Sequence, residues 1–209
     1  MVGWIGANMK SGGELFYLAS QSPRRLVLLG QLGLVPQLLL PTGDLEQLEE
    51  VFHGEEAQTY VERVAYLKWQ AGWQRLIDQG LPLAPVLSAD TTVVLHEQIL
   101  GKPCDAEQAR SMLLALSGQT HRVMTAVVVG QGIKTLRATS VTWVTFAQIP
   151  PEELERYIHS GEFEGKAGSY GIQGQAARWI KSIQGSYSGV MGLPLFETHQ
   201  LLKSFGLAP

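Results

Sequence analysis

Asp90 sits inside PVLSADTTVVL, an apolar and β-branched run where a carboxylate is out of place. Buried carboxylates are rare unless they are paired or bound to a metal. Lys102, in the Gly101-Lys102-Pro103 step that follows, is one candidate partner: if the chain turns near Glu97, antiparallel pairing returns Lys102 to the neighbourhood of Thr92, on the same side as Asp90. A structural salt bridge would explain both residues. A catalytic carboxylate beside a phosphate-binding lysine explains them too, and it also accounts for a pair of arginines upstream.

That pair is Arg24 and Arg25 in LASQSPRR. Ser22 and Pro23 suit the N-cap and first position of a helix, the hydroxyl accepting an orphan N–H and proline lacking one. Cations at a helix N-terminus oppose the macrodipole unless an anion lies between them. Free backbone N–H groups, a positive dipole end and two guanidinium groups together suit a polyphosphate. The plainer reading is two exposed arginines that bind nothing. Lys68 raises a similar choice. It falls on the apolar stripe formed by Tyr60, Val61, Val64, Ala65 and Ala71, so it either reaches back to the rim or projects into a cleft toward an anion. Downstream, GKAGSYGIQG is dense enough in glycine to let backbone approach a ligand, although such segments are more often just turns. Its Gln173 carries both a donor and an acceptor, as reading a base edge requires.

The elements that must position these groups alternate between strand and helix. Strands are expected at Leu15–Ala19, Leu34–Leu40, Val86–Leu95, Ile99–Leu100, 120–129 and 139–146. Helices are expected at 24–32, 55–79, 105–116, from Pro151 to about His159, and from about Pro194. The glycine-dense stretch from Gly161 to Gly192 is expected to hold short strands. The result is an α/β chain, with residues 15–209 a single domain containing a cleft and residues 1–14 a flexible extension. A composition of 45% hydrophobic and 17% charged residues is that of a globular protein rather than a disordered one. The net charge of −3 argues against a broad basic face for nucleic acid. Cys104 is the only cysteine, which excludes an intrachain disulfide, and the five histidines lack metal-ligand spacing. Residues 1–14 lack the apolar core of a signal peptide and no stretch approaches membrane-spanning length, so a cytoplasmic, soluble protein is expected.

Taken together, LASQSPRR, SADTTVVL with GKP, LSGQTHRVMTAVVV, KAGSYGIQG and GSYSGVMGLPLFET, in that order, resemble the Maf family of nucleoside triphosphate pyrophosphatases. The resemblance runs from about Phe16 to Phe205, and GSYGIQG resembles the subgroup acting on dTTP and UTP rather than the one directed at 7-methyl-GTP. It implies a curved mixed β-sheet flanked by helices with a central nucleotide-binding cleft, the Maf/ITPase-like fold. It implies Asp90 as catalytic proton acceptor, with Ser20, Arg24, Arg25, Lys68 and Lys102 lining the phosphate side. Arg25, Thr91 and Gln173 match the positions associated with base choice. A divalent cation, Mg²⁺ or Mn²⁺, is implied at Asp90 and at a second acidic residue after the second strand, where PTGDLEQLEE offers Asp44 and Glu46. A homodimer is implied as well. The rival from another class is a nucleotide-binding regulator of cell division, since the family name reflects an effect on septum formation.

Overall fold

The computed structural model describes residues 15–41 and 46–207, except for the side chain of Glu46; Asp44 and residues 1–14 lie outside the described residues. In chain order the elements are β1 (Tyr17–Leu18), α1 (Pro23–Gln31), β2 (Gln37–Leu38), a 3-10 turn (Glu46–Glu49), α2 (Ala57–Asp78), β3 (Val86–Leu95) and β4 (Gln98–Leu100). After these come α3 (Ala106–Leu116), β5 (Thr120–Gln131), β6 (Lys134–Phe146), α4 (Pro151–His159), β7 (Ile180–Gln184), α5 (Tyr187–Met191) and α6 (Leu195–Lys203). One mixed seven-stranded sheet has the order β2-β1-β3-β5-β6-β7, with β4 pairing back onto β3. β1 runs parallel to both β2 and β3, and the remaining pairs are antiparallel. No described helix is long and apolar enough to cross a membrane.

β3 is the organising strand. Its period of two sends Val86 and Val94 toward α2, and Leu87 and Ala89 toward α1 and α6. Ser88 shares the α2 side and donates its hydroxyl proton to the Ala65 carbonyl at 2.8 Å. Asp90, two residues on, faces the same helix. α2 packs closely there because Gly72 has no side chain: a Cβ would stand 2.7 Å from that of Ala19. The far end of β3 turns through His96 and Glu97, both at positive φ, the two-residue hairpin that aligns with strand twist.

Three expectations are corrected. β1 and β2 are two residues each, far shorter than Leu15–Ala19 and Leu34–Leu40, because β2 is an exposed edge whose neighbour Pro36 has no N–H to donate. The Gly161–Gly192 stretch contains a single strand, β7. Its remainder is turns, 3-10 segments and the short α5, with Gly161, Gly165, Gly168 and Ser169 at positive φ. Ser22 precedes α1 but its hydroxyl caps nothing.

Alternation along β5 carries His121 and Val123 into a core shared with α3, α4 and the glycine-dense segment. His121 Nε2 lies 2.7 Å from the Tyr170 hydroxyl, its ring meets Phe146 and Tyr170 edge-on, and its Nδ1 has no partner among the described residues. Burial pushes this imidazole down from 6.5 to about 4. The unfolded chain therefore takes up a proton near pH 6.5 that the folded chain accepts only near pH 4. Stability is complete above the upper value and is lost as pH falls through this window, by on the order of 3 kcal/mol across the whole of it. Urea midpoints compared at pH 7 and pH 5 should show this loss, and His121→Phe should reduce it.

Candidate active site

A cleft of about 550 Å³ opens where the end of β1, the start of α1, the middle of α2 and the middle of β3 meet the glycine-dense segment. On one wall the chain leaves β1 at Ser20, whose Oγ accepts from Ser22 N–H at 3.1 Å and from Arg25 Nη1 at 3.1 Å. Arg25 also donates from Nε to the Gly192 carbonyl at 2.8 Å, which fastens α1 to the end of α5. Burial lowers the Arg25 pKa, and Asp90 opposes that shift. A guanidinium nevertheless stays charged at any relevant pH. Arg24 lines the same cleft and has no hydrogen-bond or ion-pair partner among the described residues.

Across from the arginines runs a chain of opposite charges. Lys68 Nζ donates to Asp90 Oδ1 at 2.6 Å and to Glu49 Oε1 at 2.7 Å, so its position on the apolar stripe leads into the cleft and not back to the rim. Lys102 Nζ donates to the two oxygens of Glu49 at 2.8 and 2.6 Å. The hairpin does return Lys102 toward the site, but its partner is Glu49 and not Asp90. Asp90 is 6% exposed, and its Oδ2 accepts from no donor among the described residues. Burial raises the Glu49 pKa, but Lys68 and then Lys102 outweigh it, so this carboxyl lies below its usual range. Burial followed by Asp90 and Glu49 pushes the Tyr60 phenol, also in the cleft, well above its ordinary value.

Glu49 is a site residue that sequence reasoning missed. α2 holds it in place: Tyr60 donates its hydroxyl proton to the Glu49 carbonyl at 3.0 Å. Arg63 reaches the Glu50 carbonyl at 2.7 Å while gripping both carboxylate oxygens of Glu55. Glu46 opens the same 3-10 turn, but its side chain, like all of Asp44, lies outside the described residues.

Thr91 points to the opposite face of β3. Its Oγ1 is 2.9 Å from that of Thr125, which donates its own proton to the Gly189 carbonyl at 2.8 Å. A hydroxyl has one proton, so Thr91 must be the donor to Thr125. The oxygen it leaves in the cleft is then an acceptor only. The glycine-dense segment completes the enclosure through Gly165, Lys166, Ala167 and Tyr170. Gly168 makes this possible: its N–H donates to the Gly101 carbonyl at 3.0 Å, and a Cβ there would meet the Val93 side chain at 2.9 Å. Gln173 is different. The turn closed by Gly174 N–H to the Gly171 carbonyl carries it outward, opposite the buried Ile172, and it is exposed and absent from the cleft wall.

A family model described as Maf-like protein matches residues 15–205. The chain belongs to the Maf family. It is 54% identical over 196 residues to a Cupriavidus metallidurans protein named dTTP/UTP pyrophosphatase, covering 93% of this chain and 98% of that protein. A relative of the same name from Albidiferax ferrireducens is 52% identical, over 92% of this chain and 98% of its own length. A third, from Nitrosomonas europaea, is 51% identical over 94% and 97%. Within this Maf chain the sequence-derived residues Ser20, Arg24, Arg25, Lys68, Asp90, Thr91 and Lys102 all line one cleft, joined by Glu49.

Proposed function

We propose that this Maf-family chain is a nucleoside triphosphate pyrophosphatase that hydrolyses dTTP and UTP to the monophosphate and pyrophosphate. The observation that carries this reading is a carboxylate with one oxygen fixed by Lys68 and the other bonded to no donor among the described residues, in a nucleotide-sized cleft with two arginines that form no ion pair among those residues. Water adds at phosphorus, the P–O bond of the α–β bridge breaks, and the water's proton passes to Asp90 Oδ2. Lys68 holds Asp90 through its other oxygen, so the free lone pairs are presented to the water in one orientation. Arg24 and Lys102 neutralise the charge that develops on the departing pyrophosphate. A pure nucleotide-binding regulator would have no need of such a carboxylate.

Two carboxylates, Asp90 and Glu49, flank Lys68, and among the described residues no group of three or more acidic, histidine or cysteine side chains could hold a metal. That donor set fits a cation held by one or two carboxylates together with substrate phosphates, the habit of Mg²⁺. Asp90 and Glu49 would hold the Mg²⁺ or Mn²⁺, with Asp44 or Glu46 as further proposed ligands. When bound, the ion supplies positive charge to the phosphate oxygens in the transition state. We assign the protein to the cytoplasm as a homodimer, on the family resemblance.

For base choice we assign Thr91 and Arg25, with Gln173 contributing only if the Gly171–Gly174 turn swings inward on substrate. An acceptor at Thr91 Oγ1 matches the N3–H of thymine and uracil. Cytosine presents a bare acceptor at N3, which would leave two acceptors facing each other. An unpaired buried polar group costs roughly 1–3 kcal/mol, or about one to two orders of magnitude in discrimination. Pyrophosphate release measured with dTTP, UTP, CTP, ATP and GTP tests the reading: dTTP and UTP should lead. Thr91→Val should cut kcat/KM for dTTP by about tenfold or more and narrow its lead over CTP. A wild-type profile led by GTP or ATP would overturn the base assignment.

A further inference from the structure

The chain Asp90–Lys68–Glu49–Lys102 alternates two carboxylates with two ammonium groups, so it brings no net charge to the cleft. Binding a polyanion therefore gains most from cations that no carboxylate has already neutralised. Arg24 is one of them. Lys166 is another, on the opposite wall, and neither motif spacing nor the reaction described above uses it.

Lys166 lines the cleft, partly buried, at the start of the 3-10 turn Ala167–Ser169. Its Nζ donates to the Glu162 carbonyl, one bond out of three available donors. No carboxylate forms an ion pair with it among the described residues. Glu162, whose carbonyl Lys166 bonds, has its carboxylate occupied by the N–H of Gln175 at 2.9 and 3.2 Å. Gly171 leaves the lysine its path: a Cβ there would stand 3.2 Å from Lys166 Cε. Burial, then Arg24 across the cleft, lowers the Lys166 pKa, and Glu162 and Glu164 offset only part of that. Two cations that repel each other from facing walls are stabilised together by an anion between them.

We propose that Lys166 is a substrate-binding residue that, with Arg24, grips the pyrophosphate end of the triphosphate and ties the glycine-dense segment to α1. The proposal rests on the pyrophosphatase reading for its ligand. A base carbonyl is the weaker candidate, since a neutral oxygen does little to relieve repulsion between two full charges. Phosphate oxygens accept charge-assisted bonds from both cations at once.

The test uses the full chain and its Lys166→Met and Lys166→Arg variants, with folding checked by thermal midpoint. Lys166→Met keeps the apolar stem and removes the charge. It should raise KM for dTTP and the inhibition constant of inorganic pyrophosphate by about 10–100-fold, the worth of a charge-assisted bond. Inhibition by dTMP should change by less than about threefold. Lys166→Arg should restore most of the pyrophosphate affinity. Equal losses for pyrophosphate and dTMP would overturn the proposal, as would unaltered pyrophosphate inhibition. If Lys166→Met fails to fold, Lys166→Gln, which keeps a donor for the Glu162 carbonyl, takes its place with the same expectations. Calorimetric binding of pyrophosphate requires no turnover. A wild-type protein that bound pyrophosphate but cleaved no triphosphate would sink the enzymatic reading alone, whereas binding that survived loss of the ammonium would sink the assignment of Lys166 alone.

Discussion

Asp90→Asn should fold, bind dTTP with near-normal affinity and turn it over about two to four orders of magnitude more slowly, the usual contribution of a general base. The geometry explains the size of the effect. Lys68 Nζ, 2.6 Å from Oδ1, is a donor and will select the amide oxygen of an asparagine. That choice turns the amide NH₂ toward the water, where an acceptor is needed. The side chain keeps its volume and its bond to Lys68 but can no longer take a proton. Single-turnover rates with enzyme in excess, set beside dTTP affinity, separate the two properties. Turnover close to wild type would remove Asp90 from the chemistry.

Lys68→Met should have the second-largest effect, and it should appear in stability as well as in rate. Lys68 is the sole cation bonded to Asp90 among the described residues, and its side chain is 11% exposed. Removing it leaves Asp90, with a side-chain exposure of 8%, facing Glu49 without a bonded counter-charge. Stranding a buried charge in this way costs about 3–5 kcal/mol. The Glu49 carboxyl should move up toward its ordinary range, since Lys68 is the larger of the two influences that lower it. Catalysis should fall by at least about 100-fold because Asp90 loses the bond that orients it. The double variant Lys68→Met/Asp90→Asn should recover a large part of the lost stability, because the stranded charge has gone, while remaining inactive. Urea unfolding of the wild type, both single variants and the double variant measures this coupling. Additive losses would show that the two side chains do not act as a pair.

The parts of the site that rest on strand and helix periodicity were legible in the sequence. An aspartate amid β-branched residues announced β3, and the stripe on α2 put Lys68 on its inner face. The register of the β3–β4 hairpin brought Lys102 back as expected. Its partner was not legible. PTGDLEQLEE offers Asp44, Glu46, Glu49 and Glu50 with no periodicity to choose among them. What turns Glu49 inward is the grip of Tyr60 and Arg63 on the backbone around it, contacts that join distant parts of the chain. Lys166 was hidden for a similar reason, since a lysine close to Glu162 and Glu164 reads as surface. Glycines permit a turn without fixing where it points, so the outward course of Gln173 could not be read either. His121 could have been found, because alternation with Val123 puts it on the inner face of β5.

Phosphorus NMR of dTTP incubated with the protein and Mg²⁺ tests the central claim most directly. The account predicts dTMP and inorganic pyrophosphate in equal amounts from the wild type, with neither forming at a comparable rate in Asp90→Asn. Formation of dTDP and orthophosphate, or equal pyrophosphate release by the variant, would contradict it.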